Sequence, residues 1–161
     1  MRRRLLLGAA VTLSGCGFAL KRAPEMSFKT IQLAGFAARS PLAVELRAQL
    51  ESSPTTRVVE SASEAQVIVQ ALTEAREKVV VAQTAANQIR EFELRLRLVF
   101  RVRNAAGKDL IGDSEILQRR SLTYTETAAL AKEQEEAFLY RSMQSDIVSQ
   151  VLRRLASVRL V

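Results

Sequence analysis

Two sets of residues in this chain have types and spacing that suit chemistry. The first is a single cysteine. Arg2-Arg3-Arg4 precede an apolar run from Leu5 to Leu13, and Leu13-Ser14-Gly15-Cys16 closes it. A basic start, a short apolar stretch and small residues before a cut site describe a secretory signal peptide. Ending on cysteine fits the bacterial lipobox. The expected chemistry is export, cleavage before Cys16, and a covalent diacylglycerol and N-acyl chain (palmitate) on Cys16. A buried structural thiol is the ordinary alternative for a lone cysteine. A catalytic thiol wants a histidine, and the chain has none. The apolar run falls short of the roughly 20 residues of a membrane-spanning helix. Arg2-Arg3 also faintly resembles a twin-arginine signal. Gly17, where aspartate would favour retention at the inner membrane, leans the tether toward the outer one.

The second set is a ladder of arginines. Arg95, Arg97, Arg101 and Arg103 alternate with Leu94, Leu96, Leu98, Phe100 and Val102, so they project to one side of a strand. Arg119 and Arg120 lie on the return strand, and one of the two must share that side. Opposed residues of an antiparallel pair lie about 5 Å apart, so four to five guanidinium groups could meet in one patch. Their forks suit bidentate binding of phosphate or carboxylate, here a lipid phosphate. The plainer reading is a solvated face with cross-strand pairs to Glu91, Glu93 and Glu115.

Other chemistry is missing. There is no histidine or tryptophan, no glycine-rich phosphate loop, no Gly-x-Ser-x-Gly and no Cys/His metal spacing. An enzyme is therefore not expected, although two carboxylates could meet in space as in glycosidases. Nucleic acid is excluded mostly by compartment, and the aromatic platform that would accompany the arginines is absent.

The elements that must position these residues follow from periodicity. Residues 1–15 read as signal peptide, 16–26 as an anchor segment and 27–161 as a single domain. Removing residues 1–15 leaves 146 residues and lowers the formal charge from +7 to +4, enough chain for one core. Ser27 to Leu33 alternates as a strand. Ser40-Pro41 starts a helix, with serine as N-cap and proline at the first helical position, and Ser52-Ser53-Pro54 ends it. Thr56 to Glu60 reads as a short strand and Ala65 to Leu72 as a clearer one. Glu74 to Val81 is either its continuation or a ragged edge. Residues 89–103 alternate most cleanly. Asn104 to Lys108 is a hairpin loop with Gly107 at the left-handed position. Leu110 to Tyr124 returns, with a bulge at Gly112-Asp113. A helix from about Thr127 to Ala156 carries Tyr140, Met143, Ile147, Val148, Val151, Leu152 and Leu155 on one face. These elements predict an α+β, two-layer sandwich: a mixed sheet of about four strands with two helices on one face and the other face uncovered.

The chain resembles the LPS-assembly lipoprotein family LptE. The likeness rests on Cys16-Gly17-Phe18-Ala19-Leu20, the hairpin from Ile89 through Arg119 and Arg120, and Leu130-Ala131-Lys132, Glu135, Met143, Asp146, Gln150 and Arg153-Arg154-Leu155 in order. The resemblance implies an outer-membrane lipoprotein that plugs the β-barrel LptD, supports its assembly and binds lipopolysaccharide. It implies no cofactor beyond the lipid on Cys16. Basic residues would engage lipopolysaccharide, the candidates being Arg95, Arg97, Arg101, Arg103, Arg119 and Arg120. A stand-alone periplasmic lipid-binding lipoprotein and, behind it, a lipid-anchored periplasmic enzyme are the alternatives.

Overall fold

The computed structural model describes residues 25–160. Cys16, Gly17, Phe18 and Leu20 lie outside them. Five strands and two main helices appear in the order β1 (Thr30–Ala34), α1 (Pro41–Glu51), β2 (Arg57–Val58), β3 (Val67–Gln83), β4 (Ile89–Asn104), β5 (Asp109–Thr123) and α2 (Ala129–Ala156), with short 3-10 turns at Ala62–Glu64 and Glu126–Ala128. The sheet order is β2-β1-β3-β4-β5. β1 runs parallel to β2 and β3, and β3, β4 and β5 form an antiparallel meander. The sheet is thus mixed as expected, with five strands because two-residue β2 joins the edge.

Local chemistry sets the element ends. Ser40 caps α1: its Oγ accepts from the Ala43 amide at 3.1 Å, and Pro41 fills the first helical position where an amide is not needed. Gly107 takes φ +83 in the β4–β5 turn. Pairing skips between Phe100 and Val102, which places the bulge opposite Arg101 at Gly112-Asp113.

The core lies between the sheet's inner face and the helices. Leu94, Leu96, Leu98, Phe100 and Val102 of β4 meet Leu42, Leu46 and Leu50 of α1 and the expected stripe of α2 from Tyr140 to Leu155. Each fully buried large apolar side chain contributes about 1.5–3 kcal/mol. Phe28 also enters this core, and Ser27 Oγ donates to the Val158 carbonyl at 2.6 Å, so the start of the domain is fastened to its end. Among the described residues, the outer face has no second layer. Only Val59, Ala65 and Ile68 form a small buried cluster there, beside β1.

Because β1 stops at Ala34, paired with Gln70, the rest of β3 has a sheet neighbour on one side only among the described residues. β3, β4 and β5 therefore project beyond α1 as an arm. The first three turns of α2 follow this arm, and no residue from Ala129 to Leu139 is buried. At the other end, called the base below, lie the starts of β1, β2 and β3, the β4–β5 turn and the end of α2.

Candidate functional site

β4 carries Arg95, Arg97, Arg101 and Arg103 on the outer face, as its alternation requires. Cross-strand register then decides what they meet. Arg95 lies opposite Arg119 on β5 and Glu77 on β3, and Arg97 lies opposite Leu117 and Ala75. Arg95 Nε pairs with Glu93 at 2.5 Å, with Glu77 within 3.9 Å. Arg97 pairs with Glu115 at 3.1 Å, and Arg101 Nε stands 3.2 Å from Asp113 Oδ1. These side chains are partly exposed, so each pair adds at most about 1 kcal/mol to stability.

This arrangement corrects the expected patch. Guanidinium groups and carboxylates interleave as a lattice, and three of the arginines are already neutralised. Glu115 pairs across the strands as expected, while Glu93 pairs along its own strand and Glu91 forms no ion pair among the described residues. Glu77 on β3 and Asp113 at the bulge were not foreseen, because their reach depends on strand pairing. Arg103 and Arg119 have no ion-pair partner among the described residues. Arg103 Nε is buried without a hydrogen-bond acceptor there.

Arg120 is a further correction to the six-arginine grouping. It lies opposite Leu94, on the inner face, and its Nη2 pairs with Asp146 of α2 at 2.8 Å. Only Arg119 of that doublet shares the outer face. Alternation alone required one residue to point each way, and pairing with β4 decides which. Cys16 lies outside the described residues, so its chemistry remains an expectation.

The periodicity of the strands did not reveal a cleft on the inner side of the arm. Lys78, Ile89, Phe92, Tyr124, Lys132 and Glu136 line about 160 Å³ of space beneath the first turns of α2. Lys78 Nζ bonds to Glu136 at 2.6 Å and sits 4.2 Å from the centre of the Phe92 ring. Lys132 donates to Glu135 and to Thr123. Arg76 lies 3.6 Å over the Tyr140 ring and also reaches Glu136 at 3.6 Å. The Tyr140 hydroxyl donates to the Glu77 carbonyl at 2.5 Å. Burial raises the Tyr140 phenol above its ordinary value, against the opposing pull of the Arg76 guanidinium. The signal available in sequence was inward-facing charge: Arg76 and Lys78 sit two apart on a strand, where both must face one side.

Among the described residues, no group of three His, Cys, Asp or Glu side chains could hold a metal ion. Nor is any described helix long and apolar enough to cross a membrane.

Comparison with known proteins agrees with this architecture. The sequence profile of LptE, described as lipopolysaccharide-assembly, matches residues 28–155. The solution structure of an uncharacterized lipoprotein B from Nitrosomonas europaea is similar with a TM-score of 0.74 and 30% identity, over 88% of this chain and 91% of that one. Rare lipoprotein B from Shewanella oneidensis gives 0.67 at 20% identity, over 80% and 95%. A minor lipoprotein from Acinetobacter baumannii gives 0.66 at 18%, over 83% and 94%. The last two speak for the fold alone. No curated protein sequence matches the chain.

Proposed function

This chain belongs to the LptE lipopolysaccharide-assembly family, and on that footing we propose that it acts as an outer-membrane lipoprotein tethered through Cys16, plugging an LptD-like β-barrel and binding lipopolysaccharide on its way to the cell surface. The observation that carries the reading is the family match across residues 28–155, nearly the whole described domain, downstream of Leu13-Ser14-Gly15-Cys16. Membership supports a role in assembly and binding rather than in catalysis.

The uncovered, charged outer face supports the plug. A face of alternating arginine and carboxylate is costly to bury against an apolar surface but finds partners in a polar barrel lumen. A neutral lattice also lets the domain sit in the lumen without a large charge imbalance. Lipopolysaccharide phosphates need donors not already engaged. On the outer face Arg103 and Arg119 meet that condition, while Arg95, Arg97 and Arg101 are internally paired. Phe92 and Tyr124 in the inner cleft offer a second, apolar contact, its lysines Lys78 and Lys132 being already paired with Glu136 and Glu135. With about 160 Å³ of space, that cleft takes the end of a chain rather than a whole lipid.

The decisive experiment is extraction of tagged protein in mild detergent. We expect a large outer-membrane barrel to co-purify. If none does, the plug reading fails. Lipopolysaccharide binding is read separately: R103E/R119E should weaken it while leaving the fold intact by circular dichroism, and undiminished binding would remove those two arginines from the site.

A further inference from the structure

The ion pairs of this domain avoid one end of it. Between residues 25 and 160 there are nineteen cations and seventeen carboxylates, so the domain as a whole is nearly neutral. Six of those cations gather at the base: Lys29 before β1, Arg57 starting β2, Arg103 and Lys108 around the β4–β5 turn, and Arg153 and Arg159 at the end of α2, while Arg154 turns away to donate to the Glu115 carbonyl at 3.4 Å. None of the six forms an ion pair among the described residues, whereas Arg47, Arg76, Lys78, Arg95, Arg97, Arg101, Arg120 and Lys132 all do. The carboxylates at the base are Glu25, Glu51, Glu64 and Asp109, and Glu51 is already near Arg47. The base therefore carries an excess of positive charge, and the remainder of the domain is balanced.

The same end receives the chain from Cys16. Ser27 is fixed at the base by its bond to Val158. Eight residues lie between Cys16 and Glu25, a reach of at most about 30 Å. A lipid on Cys16 would hold this end, and not the arm's tip, toward the membrane.

We propose that the base is a docking surface for anionic phospholipid headgroups of the leaflet that holds the tether. The acyl chains on Cys16 would hold the domain at the membrane without fixing how it is turned, and a basic patch beside them adds electrostatic attraction to an anionic leaflet that sets the orientation. Each lysine or arginine close to an anionic surface strengthens binding about fivefold, within a Debye length. Leu160, exposed beside Arg159, adds an apolar contact at the same level. Docked this way, before a barrel receives the domain, α2 and the strands stand away from the leaflet and the tip at Thr84–Gln88 points away from it. The orientation rests on the tether reading of Cys16, but the lipid affinity of the base does not.

The two are tested apart. Residues 17–161, which carry the whole core without the acyl chains, are sedimented with vesicles of phosphatidylcholine alone or with 30% phosphatidylglycerol (a test composition of about that value). Binding is expected only with phosphatidylglycerol and should fall away by about 1 M salt. K29E/R57E/R159E should reduce it on the order of a hundredfold. R39E/R90E/R141E, an equal charge change away from the base, should leave it within about threefold. Equal losses in both triple variants, or equal binding to both vesicles, would overturn the docking surface. Circular dichroism checks folding, and K29Q/R57Q/R159Q replaces the reversal if that variant fails to fold. Palmitate labelling of the full chain and of C16S tests the tether separately.

Discussion

Replacing Gly35 by alanine should be among the most damaging small changes in this domain, and the reason is a single carbonyl. Gly35 follows β1 with φ +75, and a Cβ there would stand 2.2 Å from the Ala71 carbonyl oxygen and 3.3 Å from its carbon. Ala71 belongs to β3, paired on its other side with Phe100, so that oxygen cannot swing aside as a side chain would. Separation to ordinary contact needs a backbone shift on the order of 1 Å. The shift would part Ala34 from Gln70, the last pair of the β1–β3 ladder. The left-handed backbone costs an L-residue about 1–2 kcal/mol, and losing one or two ladder bonds costs about 1 kcal/mol each. The expected loss is about 2–4 kcal/mol, a large share of a typical 5–15 kcal/mol. Gly107 is the control. It has φ +83 but nothing within 4 Å of its would-be Cβ, so Gly107→Ala should cost only the backbone part, about 1–2 kcal/mol. Urea unfolding followed by circular dichroism reads both from the midpoint at constant slope. Equal losses in the two variants would show that contact with Ala71 adds nothing, and the reasoning would be wrong.

Other outcomes follow from sites already described. Ser40→Ala removes the α1 cap and the 2.8 Å bond its hydroxyl gives Glu74; the midpoint of unfolding should fall by about 1 kcal/mol or more, and an unchanged midpoint would dismiss the cap. The Tyr140 phenol is raised above its ordinary value by burial, so the folded state holds that proton more tightly than the unfolded chain. Its contribution is complete below about pH 10 and is lost as pH climbs through the raised folded value. Melting curves from pH 8 upward should therefore show a smaller alkaline decline in Tyr140→Phe than in the parent, and identical declines would refute the assignment.

Much of this fold is legible along the chain because one face of each element is dry and the other wet. β4 alternates cleanly, and the α2 stripe from Tyr140 to Leu155 is wholly buried. The glycine and aspartate at 112 and 113 mark the bulge because they interrupt an otherwise regular strand. The distal half of β3 is harder to read for a physical reason. It lies at an edge, and Glu74, Arg76 and Lys78 face inward where apolar residues are expected. They are accommodated because Ser40, Glu136 and Tyr140 supply polar and aromatic partners from the helices. The arginine ladder shows the other limit. Alternation put Arg95 to Arg103 on one side correctly. Which carboxylates neutralise them, and which of Arg119 and Arg120 joins them, depends on register between strands far apart in sequence.

The bond from Ser27 to Val158 spans 131 positions and bears on the order of folding. β3, β4 and β5 are neighbours in sequence and can form as two hairpins with modest loop closure. β1 is different: it is seated between β2 and β3, and the residues just before it pack on the far end of α2. Contacts of such long separation form slowly and complete the core only when the last turn of chain is present. During synthesis, the first strand of the domain to emerge would be the last to lock. The meander and the two helices must wait with an open flank beside β3, a strand edge suited to mispairing, until the N-terminal strand closes it.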